Sequence, residues 1–221
     1  MPVTCEVTGT FAWMDTTMTA PISVDTARAL YTDGGSSHDF EHVLRVTALA
    51  ERIARAEGAD VAVVRTAALL HDIGLDNGRV GHEEAAAERA HEILVGQPLE
   101  KIEAVAQAIR SHRFRAGPPP QTLEAKCLFD ADKLDAIGAI GVARVFAYSG
   151  AAGQRLWAEV PEGYDEHTAS GEHTSVHEFV VKLAKIKDRL TTETGRRIGR
   201  ERHDFMAAFF ARLETEVKGE A

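Results

Sequence analysis

The sequence predicts an all-α protein with a single domain, and three observations lead to this prediction. Apolar residues recur at helical spacing in most segments, no segment shows the alternation of a half-buried strand, and no internal repeat is present. A chain of 221 residues is long enough to bury one sizeable core. Residues 1–20 have no clear period, so we expect a flexible extension there and the domain over residues 21–221.

Apolar spacing and end signals predict the helices in chain order. The predicted helices cover residues 38–58, 59–74, 82–96, 98–112, 122–150, 175–190 and 196–216. The first ends at Gly58, and the second is apolar nearly all round, which places it at the centre of the fold. The fifth is expected to bend or divide near Gly138 and Gly141. Residues 150–174 are rich in Gly, His, Glu and Thr, which predicts a loop that acts as a lid.

Charge and composition exclude some classes of protein. A net charge of -9 argues against non-specific nucleic-acid binding, and the basic stretch at 195–203 is interpreted as a solvated helix face. Two cysteines give no disulfide framework. The sequence has no apolar run of about 18 residues and no signal-peptide pattern at its start. We therefore expect a cytoplasmic protein without a nucleic-acid or membrane partner.

The stretch "AALLHDIGLDNG" at 67–78 carries an apolar run directly into His71 and Asp72. Gly74 indicates that the helix ends there, where both side chains can reach one partner. A buried carboxylate is costly without a cation, an arginine or hydrogen-bond donors. A divalent metal ion would satisfy it, and imidazole with carboxylate suits Mn, Fe, Zn, Ni or Co better than Ca.

Two further residues complete a candidate ligand set. His42 lies on the apolar side of the first helix, and Asp132 lies among apolar residues in "LFDADKLDAIG". With His71 and Asp72 they would bring ligands from three helices into one core. The alternative from spacing alone is a set of structural residues, a satisfied core histidine and an ion-paired aspartate.

The chain resembles the HD-domain superfamily of metal-dependent phosphohydrolases, whose signature is H…HD…D. The strings "HDFEHVLRV", "ALLHDIG" and "DADKLDAIGAIGVARVFAYSG" carry the resemblance. The C-terminal string "HEFVVKLAKIKDRLTTETGRRIGRERHDFM" is similar to the bacterial HD-domain nucleotide pyrophosphohydrolases. The similarity covers about residues 24–217 and implies an HD-type helical bundle with the metal site in its core. It makes His42, His71, Asp72 and Asp132 the metal ligands.

The other two His-Asp pairs receive different interpretations. His38-Asp39 lies one turn before His42 and either caps that helix or borders the site. His203-Asp204 is expected to face solvent on the last helix.

A metal-activated water and a phosphate substrate would also need supporting residues around the metal. Asp76 and Glu83, which closely follow the His-Asp pair, are the candidates for a general base or for orienting the attacking water. The candidate substrate-binding residues are Arg45, His82, His112, Arg113, Lys133, Lys182 and Lys185. Arg45 could instead orient a ligand carboxylate, and each of these cations could be an ordinary surface residue.

One divalent transition-metal ion is expected. Manganese is the first candidate, with Fe, Ni, Co, Zn or Mg as alternatives. Some members of the superfamily bind two metals through histidines between the HD pair and the last aspartate, where His82 and His112 lie. With one ion, these histidines would contact substrate phosphate.

The expected reaction is hydrolysis of nucleoside or deoxynucleoside triphosphates to monophosphate and pyrophosphate, and the expected partner is a small-molecule nucleotide. The alternatives are a nucleoside monophosphate phosphatase, a nucleotide-binding regulator without turnover, and a helical scaffold that uses the metal for folding.

Overall fold

The computed structural model describes residues 22–31, 40–73, 81–113, 118–164 and 173–220, and these residues form helices without any strand. The helices are α1 (Val24–Arg28), α2 (Phe40–Glu57), α3 (Val61–Leu70), α4 (His82–Ile93), α5 (Leu99–Arg110), α6 (Leu123–Leu134), α7 (Gly138–Ala151), α8 (Ser175–Val181), a 3₁₀ helix (Leu183–Arg189) and α9 (Glu193–Val217). The all-α prediction is confirmed. The proposed extension at 1–20 and the pair His38-Asp39 lie outside the described residues.

Helix α3 lies at the centre of the fold, as its composition predicted. Eight of its ten residues are buried, and it packs against α2, α5 and α6. Asp60 begins the helix by accepting hydrogen bonds from the amides of Ala62 and Val63, at 2.9 and 3.1 Å. Because α3 is enclosed by its neighbours, the residues at its C-terminal end lie in the interior of the bundle.

The structure divides two of the predicted helices. The long pattern at 122–150 breaks between Leu134 and Gly138, where α6 and α7 meet at 57° and Gly138 adopts a φ of 79°. The pattern at 175–190 becomes α8 and a 3₁₀ helix, because the backbone of Lys182 leaves the helical region. The short helix α1 was not predicted, since five residues are too few to show a period.

A buried carboxylate joins α6 to the beginning of α9. Asp130 accepts hydrogen bonds from the backbone amides of Thr191 and Thr192, both at 2.8 Å, and from their hydroxyls at 3.0 and 2.7 Å. Burial raises the pKa of Asp130, although the bonds from both threonines act to lower it. These bonds fix α9 against the helix that carries Asp132.

Gly195 is required at this junction, which gives a stability prediction. A Cβ atom at Gly195 would lie 2.2 Å from Asp130 Oδ2, so the carboxylate would have to move. We expect Gly195→Ala to lower the free energy of unfolding by about 1–3 kcal/mol in urea denaturation. Gly150→Ala is the matched control, because Gly150 is helical and has open space around it; alanine there should be neutral or stabilise by up to about 1 kcal/mol. Equal effects of the two substitutions would contradict this account.

Candidate metal centre

The end of α3 orients His71. The helix stops at Leu70, and the ring of His71 turns back so that its Nδ1–H donates to the carbonyl oxygen of Ala68 at 2.7 Å. The hydroxyl of Tyr31 donates to the carbonyl of Leu69 at 2.9 Å, which satisfies a second group at the same helix end. Since a carbonyl can only accept, Nδ1 of His71 carries the proton, and Nε2 is left with a lone pair.

His112 is oriented in the same way at the end of α5. Its Nδ1–H donates to the carbonyl oxygen of Ile109 at 2.6 Å, so the neutral form of the ring has its lone pair on Nε2. The Nε2 atoms of His112 and His82, which begins α4, are 3.4 Å apart. His71, His82 and His112 are all buried, and edge-to-face ring contacts link His71 to His112 and His112 to His82.

His42 enters the cluster from α2. Its Nδ1 donates to Asp135 Oδ2 at 2.8 Å, and its Nε2 lies 3.8 Å from Asp72 Oδ2 and 3.5 Å from Asp132 Oδ1. Burial acts to lower the pKa of His42, but the hydrogen bonds with Asp132 and Asp135 outweigh it and raise the pKa to about 9. In the metal-free protein the ring therefore holds a proton that a cation must displace.

Asp72 lies at the middle of the cluster, and its two oxygens face different histidines. Oδ2 is 3.4 Å from Nε2 of His71, on the same side as His42. Oδ1 is 3.5 Å from Nε2 of His82 and 3.6 Å from Nε2 of His112. The carboxylate is thus shared between two groups of donor atoms, which are His42–His71–Asp72 and Asp72–His82–His112, and the atoms within each group lie within 4.8 Å of one another.

These donors fit a divalent metal ion. Two ligand atoms at about 2.1 Å from one ion lie about 3.0 to 4.2 Å apart, depending on the angle between them, and the distances around Asp72 fall in this interval. Among the described residues, Nε2 of His71 is a buried polar atom without a hydrogen-bond partner, as expected for a ligand atom whose ion is not shown. Burial lowers the pKa of His71 to about 4, so its ring is neutral and able to coordinate at neutral pH.

Asp132 lies at the edge of this cluster. Its Oδ1 faces His42, while its Oδ2 accepts a hydrogen bond from the ammonium of Lys133. Burial acts to raise the pKa of Asp132, but the charge of Lys133 and the hydrogen bond with His42 outweigh it and lower the pKa well below its ordinary value. Asp132 is therefore ionised, and it adjoins the His42 group without belonging to it in this structure.

Glu83 and Arg113 lie beside the second donor group and form an ion pair with each other. Nη1 of Arg113 is 3.1 Å from Glu83 Oε2, and the same oxygen is 3.5 Å from Nδ1 of His82. Without substrate, the guanidinium of Arg113 neutralises Glu83 and the ammonium of Lys133 neutralises Asp132.

The remaining predicted residues pair with other side chains, are exposed, or fall outside the described ranges. Arg45 donates to both oxygens of Asp135, at 2.8 and 3.1 Å. Lys182 pairs with Glu178 at 2.5 Å, and Lys185 is exposed. Asp76 falls outside the described residues. Their roles toward substrate stay predictions.

Sequence reasoning assigned no role to Asp135, although it is buried against His42. The available signal was its spacing: Asp132 and Asp135 are three residues apart and share one face of the helix end. Arg144 of α7 also bonds to Asp135, at 2.8 Å, and no local pattern marks that contact.

An all-helical domain with this buried histidine–aspartate cluster matches a known family. The sequence model of the HD domain family matches residues 39–137. YpgQ of Bacillus subtilis is 35% identical over 198 residues, which cover 87% of this chain and 90% of YpgQ. The chain therefore belongs to the HD-domain family.

Solved structures agree in fold. The crystal structure of Bacillus subtilis YpgQ in complex with ADP has a TM-score of 0.69 at 31% identity and covers 87% of this chain and 92% of that one. An HD-superfamily hydrolase from Bacillus thuringiensis has a TM-score of 0.67 at 28% identity and covers 88% and 94%.

A helix that crosses a membrane must be long and apolar along its length. Within the described ranges, no single helix is long and apolar enough to cross a membrane, and the bent pair of α6 and α7 meets the test only when the two are joined.

Removing Asp72 tests the metal centre. We expect Asp72→Ala to retain less than about one tenth of the metal that the wild type keeps after loading with Mn²⁺ and dialysis, because both donor groups share this carboxylate. Asp204→Ala, which alters the exposed aspartate of the His-Asp pair on α9, is the control and should keep wild-type metal content. Metal is measured by plasma mass spectrometry. Wild-type metal content in folded Asp72→Ala would show that the assignment is wrong.

Proposed function

We propose that this protein hydrolyses nucleoside or deoxynucleoside triphosphates to the monophosphate and pyrophosphate. The observation that carries the proposal is the buried cluster around Asp72, which offers imidazole and carboxylate donors to a divalent ion. The substrate class is supported by the relative YpgQ, which has been crystallised in complex with ADP. A nucleotide with a polyphosphate chain presents the phosphoanhydride bonds that such a centre can cleave.

We propose Mn²⁺ as the ion, with Fe, Ni, Co, Zn or Mg as alternatives, held by His42, His71, Asp72 and Asp132. When bound, the ion supplies Lewis-acid polarisation of a phosphoryl oxygen and activation of water. His71 and His42 contribute Nε2 atoms whose orientation is fixed by bonds at Nδ1. Asp132 would complete the set by turning its Oδ2 away from Lys133.

In this proposal one ion is bound, and His82 and His112 face the substrate phosphate. With Asp132 turned toward it, the His42 side would offer four protein donors, whereas the His82 side offers two histidines and the shared Asp72, so the first position would bind a cation more tightly. The arrangement of Asp72 Oδ1 with two Nε2 atoms also favours a second, weaker cation position.

The cations near the centre would be redistributed when substrate binds. Arg113 and Lys133 neutralise Glu83 and Asp132 in this structure, and a triphosphate would draw both cations to its β and γ phosphates. Glu83, released from Arg113, would then accept a proton from the attacking water or orient it, a role that Asp76 could share. Binding of the phosphates thereby prepares the base. Pyrophosphate is a far better leaving group than a sugar alkoxide, which favours attack at the α phosphate.

Hydrolysis in ¹⁸O-labelled water identifies the bond that breaks. We expect the label in the nucleoside monophosphate and none in pyrophosphate, measured by mass spectrometry of the products of dATP and ATP with Mn²⁺. Label in orthophosphate would contradict the pyrophosphohydrolase proposal and would favour a phosphatase acting on the terminal or sugar phosphate. Nucleotide binding without any product would favour a regulator.

The segment at 150–174 and the helix after it are proposed to cover the substrate. α7 runs on to Ala151, so the connection begins two residues later than predicted. Two hydrogen bonds connect the described parts of this segment with α8. Tyr164 Oη lies 2.8 Å from His173 Nδ1, and His173 Nε2 lies 3.2 Å from Glu178 Oε2. Glu178 in turn holds Lys182, which together with Lys185 is proposed to approach the phosphates.

Limited proteolysis tests the lid. Leu156 is 62% exposed in the connection and Leu99 is 70% exposed at the start of α5, so chymotrypsin has a target in each place. We expect a non-hydrolysable dATP analogue with Mn²⁺ to slow cleavage after Leu156, because closure covers the segment, and to leave cleavage after Leu99 unchanged. Equal rates with and without nucleotide at Leu156 would contradict the lid.

A further inference from the structure

Asp135 accepts hydrogen bonds from three basic side chains, which is more than a residue that only caps a helix needs. It is buried at the C-terminal end of α6, where its Oδ2 accepts bonds from His42 Nδ1 at 2.8 Å and Arg144 Nη1 at 2.8 Å. Arg45 binds both carboxylate oxygens, with its Nε 2.8 Å from Oδ1 and its Nη2 3.1 Å from Oδ2. Three side chains from α2 and α7 therefore converge on one carboxylate.

These contacts determine which nitrogen of His42 faces the cluster. Both oxygens of Asp135 accept from guanidinium N–H groups, Oδ1 from Arg45 and Oδ2 from Arg45 and Arg144, which is the pairing of an ionised carboxylate. An ionised carboxylate can only accept, so Nδ1 of His42 must donate, and Nε2 points toward Asp72 and Asp132.

Arg45 and Arg144 keep the carboxylate itself in place. A single hydrogen bond from His42 would leave Asp135 free to rotate about its side-chain bonds, whereas the two-point contact of Arg45 fixes the carboxylate plane. Arg144 adds a contact from α7, and its guanidinium also reaches the backbone oxygen of Asp135 at 3.4 Å. The geometry therefore gives Arg45 a role in orienting a carboxylate.

We propose that Asp135 is a positioning residue of the metal centre: it fixes the tautomer and ring orientation of His42, and Arg45 and Arg144 hold it for that purpose. The inference rests on the proposed metal-dependent function only in taking His42 as a ligand. Carboxylates that accept the second N–H of a ligating histidine typically contribute about 10- to 100-fold to metal affinity.

Asp130 provides a matched control within the same helix. It is a buried carboxylate on α6, five residues before Asp135, and also accepts several hydrogen bonds. Its donors are Thr191 and Thr192, which are not part of the metal centre. Loss of either carboxylate removes buried hydrogen bonds, but only Asp135 contacts a predicted ligand.

Isosteric variants test the proposal through metal binding. Asn has one acceptor oxygen for the four donor contacts of Asp135, so we expect Asp135→Asn to weaken Mn²⁺ binding by about 10- to 100-fold in calorimetric titration of the metal-free protein. In the Zn²⁺-loaded protein, labelled with ¹⁵N-histidine, the slowly exchanging Nδ1–H signal of His42 should be lost or broadened. Asp130→Asn should lower stability and leave Mn²⁺ affinity and the His42 signal unchanged.

Several results would overturn the proposal. Wild-type Mn²⁺ affinity in folded Asp135→Asn, a retained His42 signal, or an equal loss of affinity in Asp130→Asn would each do so. If Asp135→Asn does not fold, Arg144→Gln decides, because it keeps the carboxylate but removes one of its holders: weakened Mn²⁺ binding supports the proposal, and unchanged binding contradicts it. These readouts need no nucleotide, so absent triphosphate hydrolysis would refute the proposed function without affecting this inference.

Discussion

The carboxylate of Asp72 is the group on which the organisation of this bundle depends. It is buried among four imidazole rings, and a charge in that position is costly unless cations or donors surround it. Nδ1 of His71 and Nδ1 of His112 each donate to a backbone carbonyl, so in the neutral rings Nε2 presents a lone pair to the carboxylate and not an N–H donor. A divalent ion resolves this conflict, since it meets the carboxylate and the nitrogen lone pairs together.

Helix ends supply much of this arrangement. His71 lies one residue and His112 two residues after the end of a helix, each donates from Nδ1 to a carbonyl three residues earlier, and Asp135 directly follows the last residue of α6. Carbonyl groups in the last turn of these helices thus become the acceptors that fix ring orientation. Because these helices end inside the bundle, short side chains at their ends can reach partners that they could not reach from the middle of a helix.

The sequence allowed the helices and the burial of His71 and Asp72 to be predicted, because both depend on local pattern. Apolar spacing located α2 to α6, and the apolar run that ends at His71 and Asp72 placed those residues inside the bundle. The contacts of Asp135 could not be predicted in the same way, because His42 and Arg144 approach it from other helices. Tyr31 was missed for a related reason: it caps α3 from a segment too short for periodicity. The pairing of Arg113 with Glu83 joins the end of α5 to α4, and spacing carries no information about such a contact.

The most direct measurement for the central claim is anomalous diffraction from crystals of this protein grown with Mn²⁺. The account predicts a manganese peak within bonding distance of His42 Nε2, His71 Nε2 and Asp72 Oδ2, with Asp132 turned toward it. A weaker peak between Asp72, His82 and His112 would identify a second cation position on the other side of the same carboxylate. Fully ordered side chains with no manganese peak near Asp72, at Mn²⁺ concentrations that saturate binding in solution, would contradict the account.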